Sequence, residues 1–145
     1  MADNADPATS VFFSVQVDGY DLGAFSSCEG LGAEVVMEQR EEGGNNTFVH
    51  QLPTRLKYPN VKLSRPLTDE TSKVADWFAS MTTGVERRTA TIVAKHADGS
   101  DIATFNLTGV VPVRWSGPSF TLDSAKPATE SIEIAHHGFD KSSGR

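Results

Sequence analysis

The sequence predicts a mainly β protein: a small antiparallel β-barrel or sandwich with one flanking amphipathic α-helix. Three observations carry this expectation. Short apolar runs with period-two alternation recur along most of the chain, residues such as Gly, Asp and Pro punctuate them, and a single segment switches to helical spacing.

The elements follow in order. Phe13, Val15 and Val17 share one strand face, Ser14, Gln16 and Asp18 the other, and Gly19-Tyr20-Asp21 is expected to turn the chain into a hairpin. Val35 and Met37 alternate with Glu34 and Glu38, Val61 and Leu63 with Lys62 and Ser64, and Ile132 and Ile134 with Ser131 and Glu133. Each of these strands is therefore expected to have one buried face and one wet face. Residues 89–95 and 102–107 flank His96-Ala97-Asp98-Gly99-Ser100, where Asp-Gly is expected to supply the positive φ values of a tight hairpin turn. Val74, Trp77, Phe78 and Met81 fall at i, i+3, i+4 and i+7, with Thr68 or Asp69 as N-cap and Gly84 as C-cap. That spacing predicts one helix of roughly four turns. Its apolar stripe is read as core, and its other side carries Glu70, Lys73, Asp76 and Ser80.

A length of 145 residues with 38% hydrophobic composition fits a single domain with a modest core. Residues 10–140 are expected to form it, between a flexible N-terminal arm (1–9) and a flexible tail (141–145) that cannot bury apolar surface. A net charge of −6 with scattered basic residues argues against a dedicated nucleic-acid binder, which needs concentrated Lys and Arg. The single cysteine, Cys28, cannot form an internal disulfide, so synthesis in a reducing compartment is expected. The acidic, polar start lacks the features of a signal peptide, and no apolar run approaches the ~20 residues of a membrane-spanning helix. Membrane insertion by the monomer is not expected.

Cys28 sits in Ser26-Ser27-Cys28-Glu29-Gly30 without a neighbouring His, and no nucleophile elbow occurs, so Cys28 is read as a small packing residue. His50 and His96 are isolated, and His136-His137, adjacent on a strand, point to opposite faces and cannot easily chelate one ion. The expectation is a protein that is no enzyme and holds no cofactor or metal. Glu41-Glu42-Gly43-Gly44-Asn45-Asn46 has no Walker lysine, and its carboxylates repel phosphate. Two readings of it stay open on residue chemistry: a plain hairpin loop, or an acidic contact loop reaching a neighbouring subunit.

Blocks along nearly the whole domain then add a resemblance. Phe13-Ser14-Val15-Gln16-Val17-Asp18-Gly19, Leu22-Gly23-Ala24-Phe25 and Cys28-Glu29-Gly30-Leu31-Gly32 are followed by Arg40-Glu41-Glu42-Gly43-Gly44, Leu52-Pro53 and Lys57-Tyr58-Pro59-Asn60-Val61-Lys62-Leu63. Trp77, Arg87-Arg88, Pro112, Trp115, Pro118, Glu130-Ser131-Ile132-Glu133-Ile134 and His137-Gly138-Phe139 complete the order. This pattern resembles the contractile phage tail tube protein family, including the inner tube proteins of phage-tail-like extracellular contractile injection systems. The chain departs at Pro66, where relatives often place glycine. The resemblance implies a structural subunit forming hexameric rings that stack into a hollow tube, driven outward by a contractile sheath and serving as a conduit for a toxin or DNA. The implied partners are further copies of the chain, the sheath protein, baseplate or spike proteins and tube-terminating proteins. It also implies assembly in the bacterial cytoplasm and release in a virion tail or tail-like particle by lysis. The loop of Arg40, Glu41, Glu42, Gly43, Gly44, Asn45 and Asn46 is the expected inter-ring contact. A secreted tube protein of type VI secretion and a monomeric ligand-binding β-barrel remain the competing readings.

Overall fold

The computed structural model describes residues 11–40, 50–117 and 128–140. The expected arm 1–9, the tail 141–145 and the loop residues Glu41 to Asn46 lie outside the described residues. Strands β1 (Val11–Val17), β2 (Tyr20–Phe25), β3 (Ser27–Glu29), β4 (Glu34–Arg40), β5 (His50–Lys57) and β6 (Val61–Pro66) lead to helix α1 (Thr71–Ser80). Strands β7 (Arg88–His96), β8 (Asp101–Ser116), β9 (Thr129–Ala135) and β10 (Gly138–Phe139) follow.

Eight strands form one antiparallel sheet in the order β2-β1-β7-β8-β9-β6-β3, with β10 added to β8. β8 is the corner. Its first half pairs with β7 and, from Val111 onward, it pairs with β9. Between the halves lies Gly109 at φ +61, where an added Cβ would stand 2.5 Å from His137 Nδ1. Only glycine lets the strand bend so close to that ring. Pro112 sits beside a register shift in β8, the kind of place where a strand tolerates a residue without an amide donor.

Alternation does what the sequence predicts in β1, β6 and β9. Val15, Val17, Val61, Leu63, Ile132 and Ile134 are buried and join Leu22, Phe25, Ile92, Leu107 and Val110 in one core. Cross-strand rows run through it: Val15 faces Ile92, which faces Phe105, while Leu63 lies between Cys28 and Ile132. The outer face of β3-β6-β9-β8 carries two further rows, Ser27-Ser64-Ser131-Ser116 and Glu29-Lys62-Glu133-Arg114, the second alternating in charge. Opposite charges face each other across neighbouring strands there, which favours this register.

Several turns and ends differ from expectation. The first hairpin turns at Asp18-Gly19, with Val17 facing Tyr20. In the second hairpin only Gly99 has positive φ (+94), while Asp98 accepts hydrogen bonds from the Ser100 amide (2.9 Å) and hydroxyl (2.7 Å). Asp98 thus stabilises the loop as a side-chain acceptor rather than by backbone conformation. Helix α1 spans 10 residues, not four turns. At its start the Thr68 hydroxyl accepts from the Glu70 amide at 3.1 Å, so 68–70 forms a separate turn. At its end the hydroxyls of Thr82 and Thr83 donate back to the carbonyls of Ala79 and Ser80, satisfying groups that further helical turns would have used. Val74 and Trp77 are buried and Phe78 and Met81 pack against the core, so the stripe is intramolecular. Among the described residues no helix is long and apolar enough to cross a membrane.

Cys28 is half-buried against the core, and burial, with the charge of Glu29 adding to it, pushes its thiol up to about 11. At pH 8 roughly a thousandth of it is thiolate, so iodoacetamide is expected to alkylate the folded protein on the order of a hundredfold more slowly than the unfolded chain. Equal rates would contradict the packing role.

Candidate assembly interface

β4 and β5 stand apart from the body as a two-stranded sheet of their own. Val35 faces Leu56, and Met37 faces Pro53, so these four share one face of the ribbon. Glu34 opposite Lys57, Val36 opposite Arg55 and Glu38 opposite Leu52 form the other. A shift between Val36 and Met37 leaves Thr54 as an extra residue, whose hydroxyl donates to the Val36 carbonyl at 2.8 Å. This bulge accommodates Pro53 in the strand.

The sequence expectation of one buried face holds for β6 and β9 but not here. Val35 is 46% exposed, Met37 45% and Leu56 55%. Period-two alternation states that a strand has an apolar face; it does not state which molecule covers it. A lone two-stranded ribbon is marginal in water, and an exposed apolar face on such a ribbon is a candidate contact surface. Of the expected contact loop, Arg40 ends β4 and pairs with His50, and the remainder lies beyond the described residues.

Elsewhere the body offers little chemistry. No group of three or more His, Cys, Asp or Glu residues that could hold a metal occurs among the described residues. His136 is buried and His137 exposed, but the two lie between the end of β9 and the start of β10 rather than on a strand. The His136 ring lies against Tyr58 and Phe139, with centroids 5.4 Å away from each, and its Nδ1 accepts from the Gly138 amide at 3.1 Å.

What sequence reasoning missed is a buried polar centre where β2 comes near β6. Arg65 and Glu130, each 2% exposed, face each other across β6 and β9. Arg65 Nε donates to Glu130 Oε2 at 2.7 Å, Thr71 Oγ1 donates to the same oxygen at 2.7 Å, and Trp115 Nε1 donates to Oε1 at 3.0 Å. The alternation that put Leu63 and Ile132 inward also puts Arg65 and Glu130 inward, two positions along each strand. That was the available signal.

A small antiparallel body with a side helix and a projecting apolar ribbon defines a subunit of a larger assembly. The family comparison gives that class a specific form: the chain belongs to the T4-like virus tail tube protein gp19 family, whose model matches residues 9–140. It is a structural inner tube subunit.

Among solved structures, the chain is similar to one from the anti-feeding prophage baseplate (TM-score 0.75, 15% identity, covering 94% of this chain and 95% of the other). It is also similar to one from the sheath-tube complex of PVC, an extracellular contractile injection system, in its extended state (TM-score 0.74, 21% identity, 96% and 92% covered). A more distant likeness is to Hcp1 from Salmonella typhimurium (TM-score 0.53, 13% identity, 88% and 83% covered). A comparison with curated protein sequences finds no match.

Proposed function

We propose that residues 10–140 act as one tail tube domain, that six copies close head-to-tail into a ring, and that rings stack into the inner tube of a contractile injection particle. The observation that carries this reading is the uncovered apolar face of the ribbon. A head-to-tail contact joins two different surfaces of identical subunits, and closure into a ring leaves no ribbon uncovered. Covering the exposed part of Val35, Met37 and Leu56 on a neighbouring copy contributes ~1 kcal/mol for each side chain, repeated at every subunit. The loop of Arg40, Glu41, Glu42, Gly43, Gly44, Asn45 and Asn46 reaches the adjacent ring.

The outer partners are a contractile sheath, baseplate or spike proteins and a tube-terminating protein, in keeping with the sheath-tube and baseplate assemblies of the relatives. Sheath shortening drives the tube outward and cargo passes through its channel. A ring built from chains of net charge −6 is strongly anionic, which disfavours adhesion of DNA or acidic cargo where the acids face the lumen. Assembly takes place in the bacterial cytoplasm, with release by lysis.

Negative-stain electron microscopy over a concentration series tests the reading. The wild-type chain is expected to form sixfold rings or stacked tubes. The double variant Val35→Ser/Leu56→Ser is expected to keep its far-ultraviolet circular dichroism, because neither side chain belongs to the core, yet to stay monomeric. Normal tubes from that variant would remove the ribbon from the interface. A wild-type chain that is monomeric at every concentration would favour the ligand-binding barrel or a tube that needs baseplate nucleation.

A further inference from the structure

The strand order begins at β2 and ends at β3, yet these two are consecutive in the chain, separated only by Ser26. One stretch of backbone therefore pairs with β1 through its first part and with β6 through its last, and the Ser26 amide donates to the Ser64 carbonyl at 2.9 Å. The sheet thus curls back toward itself but stays open along a seam between β2 and β6, where no backbone ladder runs.

Arg65 spans that seam. From the inward face of β6 its Nη1 donates to the carbonyls of Leu22 and Ala24 on β2, and its guanidinium lies 4.2 Å from the centre of the Phe25 ring. The backbone of β2 is shaped for this approach. Its register shifts opposite Val15 and Gln16, leaving Leu22 as the extra residue. A Cβ on Gly23 would stand 3.2 Å from Arg65 Nη1 and 2.9 Å from Glu70 Cγ. Side-chain donors thus take the acceptors on the β2 edge that a neighbouring strand would otherwise use, which also removes an edge open to another copy.

The far side of the same centre reaches the helix. Glu130 Oε2, the oxygen that binds Arg65, also accepts from Thr71, the first residue of α1.

We propose that the Arg65–Glu130 pair is a latch that makes closure of the β2/β6 seam and seating of helix α1 a single conformational event. Glu130 cannot hold Arg65 across the seam and leave Thr71 free without forfeiting a hydrogen bond in a buried site, where an unmet polar group is costly. Opening at either end therefore loosens the other. The latch is a property of the free subunit and does not depend on how the ribbon is used.

Hydrogen exchange read by mass spectrometry on the full chain tests the coupling. Thr71→Val removes one hydroxyl and keeps the branched shape. It is expected to raise exchange several-fold over residues 20–25 together with 71–80, while 88–96 in the middle of the sheet keeps wild-type rates. A rise confined to 71–80, or none, overturns the proposal. Arg65→Met approaches from the opposite end and is expected to raise exchange over 71–80 as well as 20–25; an unchanged helix overturns it equally. Where Arg65→Met fails to fold, Thr71→Val decides alone.

Discussion

Glu130→Ala is expected to lower the stability of the folded subunit by about 3–5 kcal/mol, read from the midpoint of urea unfolding. The substitution leaves the Arg65 guanidinium buried without its counter-ion and strips Trp115 Nε1 and the Thr71 hydroxyl of their acceptor. The loss comes from orphaned groups rather than from a large intrinsic value of the ion pair. Consequently the double variant Arg65→Met/Glu130→Leu, which removes the buried unpaired charge but leaves Trp115 Nε1 and the Thr71 hydroxyl without their acceptor, is expected to recover only part of it. A double variant no more stable than the single would show that the centre contributes specific attraction beyond mutual satisfaction.

The same centre sets the acid limb of the stability curve. Burial pushes the Glu130 carboxyl upward, but hydrogen bonds from Thr71, Arg65 and Trp115 and the charge of Arg65 together outweigh it and hold the group below its ordinary 4.5. A carboxyl with a depressed folded pKa contributes stability above its unfolded value and loses it as pH falls through the folded one. Stability should therefore drop from about pH 5 downward in the wild type and less steeply in Glu130→Gln. His136 adds a separate window. Burial, with the neighbouring His137, holds its pKa below 6.5, so the unfolded chain binds the extra proton first and stability declines as pH drops through that value.

These residues also show where the sequence was readable. Val15, Leu63, Ile92 and Ile132 lie inside because a half-buried strand needs one apolar face, and alternation reports that need directly. Arg65 and Glu130 obey the same alternation, but a charged residue after an apolar pair looks like the end of a buried face. Only the cross-strand register, which places them opposite each other, shows that the charges compensate. Registers join distant parts of the chain, and short-range patterns do not encode them. The ribbon presented the reverse case: Val35 and Met37 alternate as core strands do, yet both are exposed. Helix ends were misplaced because Thr68, Thr82 and Thr83 compete for backbone groups through their hydroxyls, ending the helix inside the limits that the apolar spacing allowed.

Trp77→Ala is expected to cost about 3–5 kcal/mol, the range for removing a fully buried aromatic side chain. Trp77 is completely buried and packs beside Phe78 with ring centroids 6.3 Å apart, which in turn lies 6.2 Å from Trp115. A helix of 10 residues is too short to persist in water by itself, so burial of Val74 and Trp77 is one anchor that holds α1 to the body. Its indole Nε1 has no hydrogen-bond partner among the described residues, so Trp77→Phe removes an unmet donor while keeping most of the apolar surface. That milder variant is expected to cost less than ~1.5 kcal/mol. The comparison separates two anchors for the helix. Loss of α1 exchange protection in Trp77→Ala, with retention in Trp77→Phe, assigns the seating of α1 to its apolar face. Retained protection in both variants would instead make the Thr71–Glu130 contact the dominant anchor and leave the stripe as filling for the core.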